Sequence, residues 1–167
     1  NSFTALVSLK LHNIKFPPGQ KLVLPPNLKR LELVSTWTFT WKQDGPTRTI
    51  MLPNQLEHLT LRKFGGLILD APLPSTLKTL DVAHTSVSAG CILPAGLDRL
   101  EFWGVSISSG FSFSPVPNHM VFNWNLFDEL FDEVDLSGQC LKGKTLEVPN
   151  MHQYKIIRTV DGNTKCG

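Results

Sequence analysis

Four stretches of this chain superimpose without a gap. Leu24-Pro25-Pro26-Asn27-Leu28-Lys29-Arg30-Leu31-Glu32-Leu33 is matched by LPNQLEHLTL from Leu52, LPSTLKTLDV from Leu73 and LPAGLDRLEF from Leu93, with starts 28, 21 and 20 residues apart. The shared pattern is L-P-x-x-L-x-x-L-x-[LVF]. A copy without Leu-Pro runs Leu6-Val7-Ser8-Leu9-Lys10-Leu11. A degenerate copy is expected at Phe131-Asp132-Glu133-Val134-Asp135-Leu136, and Thr145-Leu146-Glu147-Val148 is expected to form a last, capping strand. The closing L-x-L alternates apolar with polar residues, the period of a strand with one buried face. One such strand cannot hide its leucines, but stacked copies bury them in a continuous ladder under a parallel sheet. The strands are therefore expected near 8–12, 30–34, 58–62, 79–83 and 99–103, paired in chain order. The ladder is expected to hold Leu6, Leu9, Leu11, Leu28, Leu31, Leu33, Leu56, Leu59, Leu61, Leu77, Leu80, Val82, Leu97, Leu100 and Phe102.

The Leu-Pro step fixes φ and removes an amide donor just before each strand, so it should set the corner where the chain turns into the sheet. Few residues remain in each turn for the return path. Extended or polyproline-like segments are expected there rather than full helices.

This pattern resembles the leucine-rich-repeat family, in its short Leu-Pro variants. Similar repeats occur in the recognition domains of secreted bacterial effectors and in the FNIP repeats of amoebae and other protists. The resemblance covers about residues 3–107 well and 126–148 weakly. It implies a mainly β solenoid in a single domain spanning 1–167, with one parallel sheet on the concave face and a largely irregular convex side. The chain departs from the family at the turn after the strand, where an asparagine usually bonds neighbouring backbone. The equivalent positions hold Ile14, Thr36, Phe64, Thr85, Val105 and Gln139, so apolar packing or threonine hydroxyls are expected to hold these turns.

Two insertions interrupt the array. Ser35 to Ile50 contains the alternating Thr36-Trp37-Thr38-Phe39-Thr40-Trp41, which reads as a short strand, followed by an Asp44-Gly45-Pro46 turn. The segment 108–125 is rich in Ser, Phe, Pro and Gly and is expected to be an irregular insertion that ends the regular repeats. Residues 126–167 are expected to supply the degenerate repeat and a C-terminal cap that includes Tyr154–Val160. Apolar residues at 127, 130, 131 and 134, with Asn125 as N-cap, predict a short helix near 125–132 leading into a strand at about 133–137. The acidic run Asp128-Glu129 and Asp132-Glu133 fits the solvated face of that helix.

Composition narrows the function. Hydrophobic residues make up 41% and charged residues 18%, with a net charge of +2 and no block of one sign. A basic field for nucleic acid or a membrane surface is missing, and no apolar run is long enough for a transmembrane helix. Cys91, Cys140 and Cys166 are widely spaced, with no CxxC pair, and His12, His58, His84, His119 and His152 are scattered. Neither a zinc site nor a disulfide framework is expected, and Cys91 reads as a small apolar filler. No Asn-x-Ser/Thr sequon is present, which favours an intracellular or organellar setting over an extracellular one. The chain opens on Asn1 rather than methionine, as a processed product or a fragment would. Phosphate loops, GxSxG, HExxH and paired carboxylates are all lacking, so the chain is expected not to be an enzyme and to need no cofactor.

The informative side chains are those that point out of the sheet. The register gives three outward columns: Ser8, Arg30, His58, Thr79 and Arg99; then Lys10, Glu32, Thr60, Asp81 and Glu101; then His12, Val34, Arg62, Ala83 and Trp103. Neighbouring strands are expected to exchange Arg–Glu contacts laterally. Trp and Arg are over-represented among residues that dominate binding. The candidate partner-binding residues are therefore Trp103, Arg62, Arg99, His58 and Arg30, joined by Trp37 and Trp41 from the first insertion. The expected role is a non-catalytic protein–protein interaction or scaffold module, an accessory subunit of a larger assembly. The alternatives are the substrate-recognition part of a larger enzyme such as a ubiquitin ligase, and a carbohydrate- or surface-binding protein.

Overall fold

The computed structural model describes residues 3–14, 22–35, 50–63, 68–108, 111–123 and 144–147. Trp37 and Trp41, Cys140 and Cys166, the expected helix near 125–132, the degenerate copy at 131–136 and the tail beyond 148 lie outside the described residues.

The L-x-x-L-x-L copies form strands at the expected places: β1 (Ser8–His12), β2 (Arg30–Val34), β3 (His58–Arg62), β5 (Thr79–Ala83) and β7 (Arg99–Trp103). Between them fall the two-residue strands β4 (Ile68–Leu69), β6 (Ser86–Val87) and β8 (Ser106–Ile107). β9 (His119–Asn123) and β10 (Thr145–Glu147) follow. Seven strands make one parallel sheet in the order β1-β2-β3-β5-β7-β9-β10, and every neighbour is the next coil along the chain. The register holds leucine to leucine: Leu9 faces Leu31, then Leu59, Leu80, Leu100 and finally Met120. The chain is thus a right-through stack of coils, a parallel β-solenoid.

The apolar ladder lies behind this sheet as one cluster. Leu31, Leu59, Leu80 and Leu100 are between 0% and 2% exposed, while Leu6, Leu9 and Leu11 of the outermost coil are only half-buried against them. At the opposite end of the ladder, leucine gives way to phenylalanine. Phe102, Phe111, Phe113 and Phe122 pack edge to face or tilted, with ring centres 4.9–6.3 Å apart, a favoured aromatic geometry.

The Leu-Pro corner has a simple construction. The carbonyls of Pro25, Pro53, Pro74 and Pro94 accept hydrogen bonds from the amides of Leu28, Leu56, Leu77 and Leu97 at 3.3, 3.1, 3.0 and 3.0 Å. Each Pro-x-x-Leu unit is therefore a hydrogen-bonded turn whose last side chain drops into the core. Proline has no amide to leave unsatisfied at this bend. At the other end of the strand the chain turns sharply through a left-handed residue: Asn13, Lys63, His84 and Gly104 have φ of 60°, 63°, 51° and 55°. Beyond that residue, Ile14 packs on the core and Thr85 and Val105 are buried, while Thr36, Phe64 and Gln139 lie outside the described residues. The Ser35 hydroxyl, at the end of β2, donates to the Ile14 carbonyl at 3.3 Å.

Two sequence expectations need revision. The segment 108–125 is not wholly an irregular insertion, because it contains β9, paired in register with β7. Phe113-Ser-Pro-Val-Pro-Asn-His-Met-Val-Phe is a further copy of the motif, 20 residues after Leu93, with Phe, Pro and Met at leucine positions. Those replacements hide the pattern from a leucine count while still filling the ladder. On the return side, the extended segments are more regular than expected: β4, β6 and β8 pair in parallel as a second, three-stranded sheet. Leu69, Val87 and Ile107 turn inward from it and are buried, so the solenoid has a short sheet opposite the long one.

Leu80 lies mid-ladder at 1% exposure, with a leucine on each side, so Leu80→Ala should destabilise the fold by about 2–5 kcal/mol in urea unfolding. The left-handed corners give a second, opposite pair of effects. Lys63→Gly should stabilise by about 1 kcal/mol, and Gly104→Ala should destabilise by about 1–2 kcal/mol, because an L side chain is strained there.

Candidate functional site

The outward face of the long sheet carries the candidate residues in the three expected columns. β9 and β10 extend them in register by His119 and Thr145 in the first and by Val121 in the second. The third column contains the most distinctive contact. Arg62 on β3 and Trp103 on β7 flank Ala83 on β5, so two strand spacings separate them. Neighbouring strands lie about 4.8 Å apart, and two long side chains meet over that gap only if the residue between them is short. Ala83 is that residue. It is 6% exposed, and the Arg62 guanidinium carbon lies 5.9 Å from the Trp103 ring centre, within cation–π range.

Charges on this face are paired more variously than expected. Between β1 and β2 the lateral partner of a glutamate is a lysine, with Lys10 Nζ 2.9 Å from Glu32. Arg62 instead reaches diagonally to Asp81. Arg99 turns along its own strand, where Nε lies 2.5 Å from Glu101 Oε1. Residues two apart on a strand share a face and a long arginine spans them, so a neighbouring strand is not needed. Trp103 Nε1 donates to the other oxygen of Glu101 at 3.4 Å. Arg62, Arg99 and Trp103 are therefore brought together, the last two tied by one carboxylate. His58 Nδ1 lies 2.8 Å from Thr79 Oγ1 on the next strand. Arg30 stands apart on β2, exposed and without an ion-pair partner among the described residues. Trp37 and Trp41 are outside the described residues, so their relation to this face stays an expectation.

One column escaped the sequence reading. The residue before each strand, at the first x of L-x-x-L, also points outward: Lys29, Glu57, Lys78, Asp98, Asn118 and Lys144. Glu57 bridges Lys29 at 2.9 Å and Lys78 at 3.3 Å. Asn118 then links Asp98 at 2.8 Å and Lys144 at 2.6 Å. The alternation of sign down the four gapless copies was the signal that could have revealed it.

Carboxyl environments differ sharply across this surface. Asp81 gives one oxygen to Arg62, while Oδ1 is buried with no hydrogen-bond partner. Burial pushes its carboxyl above the ordinary 3.8, outweighing the downward pull of Arg62. Glu32, beside Lys10, and Glu57, beside Lys29, are held below the ordinary 4.5 by those hydrogen bonds. Away from this face, burial pushes the Cys91 thiol up to about 12, so it is not a thiolate near neutrality. Among the described residues, no cluster of three or more His, Cys, Asp or Glu gathers to hold a metal, and no helix is long and apolar enough to cross a membrane.

Compared with family models, with curated proteins and with solved structures, the chain matches none. The site must be read from its own geometry.

The pKa directions set a titration order and a sign. A folded value above the unfolded one means that ionised Asp81 is disfavoured, so its contribution to stability grows as pH falls through the raised value. Glu32 and Glu57 act oppositely: their contributions are full above the ordinary carboxylate value and lost as pH falls through the lowered ones. Carboxyl-carbon NMR should place the Asp81 midpoint above 3.8 and both glutamate midpoints below 4.5. An Asp81 midpoint below its ordinary value would mean that the Arg62 pair outweighs burial.

Proposed function

We propose that this chain is a non-catalytic protein-binding module of the leucine-rich-repeat type, docking a partner protein on the outward face of its long sheet. The kinship with leucine-rich repeats rests on the gapless L-P-x-x-L-x-x-L copies and on their use as strands of a solenoid. The binding role rests chiefly on one observation, the convergence of Arg62, Arg99 and Trp103 around Ala83 and Glu101. A half-buried indole with an arginine across its ring offers a large, rigid contact area at small ordering cost, the kind of group that dominates protein interfaces. Several surrounding charges are paired, Lys10 with Glu32 and Glu57 with Lys29 and Lys78, and such exposed pairs contribute about 0–1 kcal/mol each to stability. They serve better as a rim that fixes the orientation of a partner than as the source of affinity. The expected place of the chain is as an accessory or scaffold subunit within a larger assembly.

Affinity capture with the intact chain as bait, quantified by mass spectrometry against variant baits, tests the reading. Trp103→Ala should weaken the captured interaction by about 2 kcal/mol or more. Thermal unfolding should be little changed, since Trp103 is outside the apolar ladder. Ala83→Leu, which would part Arg62 from Trp103 without removing either, should weaken the same interaction. Unchanged capture together with a lower melting temperature would make Trp103 a packing residue and remove this face as the docking surface.

A further inference from the structure

The corner that precedes each long strand exposes a row of apolar side chains. Seven residues before the start of β2, β3, β5 and β7 stand Val23, Met51, Pro72 and Ile92. Burial alternates along the chain here, as in an extended segment. Leu24 and Leu52 pack on the core, and Leu73 and Leu93 are buried. Between such inward neighbours, Val23, Met51 and Ile92 are 88%, 74% and 56% exposed, and Pro72 is exposed as well. Successive coils touch at this corner: the Leu73 amide donates to the Ile92 carbonyl at 3.0 Å, and the Thr76 hydroxyl to the Asn54 carbonyl at 2.9 Å. The four side chains therefore follow one another as ridges about 4.8 Å apart.

The corner is also without charge. Residues 22–28, 50–56, 71–77, 91–97 and 111–117, all described, contain no Asp, Glu, Lys, Arg or His. Charge begins at the very next position, with Lys29, Glu57, Lys78 and Asp98, where Glu57 bridges both lysines. On the other border, Asp70 accepts from the Ser88 hydroxyl. The ladder does not use the outward side chains of this strip, and a polar residue would serve there equally well. A contiguous apolar strip with polar borders is the mark of a contact surface.

Charge and spacing together select the occupant. A charged partner would lose hydration on this strip and find no counter-charge there. A lipid surface is ordinarily met by apolar groups flanked with Lys and Arg, whereas the border here alternates in sign and pairs with itself. The strip of a second copy is equally uncharged and has ridges at the same rise, so it meets this one rung for rung with neither repulsion nor buried charge. Size sets the direction. A two-fold axis along the stack would put Met51 on Met51 and Pro72 on Pro72, leaving a gap of uneven width. An axis across the row puts Met51 on Pro72 and Val23 on Ile92, large against small, as close packing favours. The footprint is on the order of 20 Å by 20 Å, which keeps the buried total below about 1,200 Å², the range of weak, reversible association.

We propose that the chain self-associates through this uncharged corner, as a two-fold dimer whose axis crosses the row between Met51 and Pro72. Val23 then meets the partner's Ile92, and Met51 the partner's Pro72. The surface is distinct from the Arg62–Trp103 face, since a Pro-x-x-Leu turn and the length of β7 separate Ile92 from Trp103. Trp103→Ala leaves the dimer unaffected.

Sedimentation velocity of the intact chain over about 1–500 µM is the test. It should show a reversible monomer–dimer equilibrium. Val23→Lys and Ile92→Glu should each weaken association about tenfold or more, because each sets a charge against an apolar side chain. Their melting temperatures should stay at that of the parent chain, since neither residue belongs to the apolar core cluster. An equal mixture of the two variants should regain the dimer, as each mixed pair holds one Lys–Glu contact and one unaltered Val–Ile contact. A chain that stays monomeric throughout would overturn the proposal, and so would variants that dimerise as tightly as the parent. Recovery on mixing Val23→Lys with Val23→Glu, and not with Ile92→Glu, would overturn the pairing by giving a like-on-like axis. Monomers that bind uncharged phosphatidylcholine vesicles would give the strip to lipid instead.

Discussion

Burial in this molecule is shared between successive coils and never completed within one. A strand such as Leu59-Thr60-Leu61 has two leucines to hide and, among the described residues, no helix or opposing hairpin in its own turn to hide them. It hides them against the turns before and after, leucine on leucine at each rung. Everything else follows from that nearest-neighbour condition. Strands must run parallel because each coil repeats the one before it. Their order must follow the chain, and the return path must fit the same rise, which is why β4, β6 and β8 come close enough to pair as a second sheet.

The same rise writes a pattern on the outside. Side chains at one repeat position stand about 4.8 Å from their counterparts, close enough for every column to interact with itself. Where signs alternate, as in Lys29, Glu57 and Lys78, the column becomes an ion-pair ladder. Where a short residue separates two long ones, as Ala83 separates Arg62 and Trp103, the long ones meet. The proposed docking face is thus a consequence of this geometry.

Much of this was legible in the chain. The five regular strands, their order and the residues of the ladder follow from four gapless copies of one motif and a fifth without Leu-Pro, because period-2 alternation and fixed spacing allow few other arrangements. The assignment of residues to outward columns was equally legible, since it needs only the register. The copy containing β9 was missed for a compositional reason: Phe113, Pro117 and Met120 replace leucines, and a pattern defined by leucine passes over them. The Lys29–Glu57–Lys78 column was missed because attention to the alternating half of the motif ignored the residue that precedes it.

What the sequence determined alone is the fold's repeat and the inside–outside choice at each position, because both are local and periodic. Which outward groups touch was decided only by the tertiary structure. Arg62 had Glu32, Asp81 and Glu101 within its electrostatic reach and bonded Asp81, while Arg99 turned along its own strand to Glu101. Long side chains on a regular surface have several partners at similar distance, and pairings among exposed charges differ by little in energy. Periodicity fixes where each group stands, but the choice between near-equal neighbours depends on the packing of all of them at once.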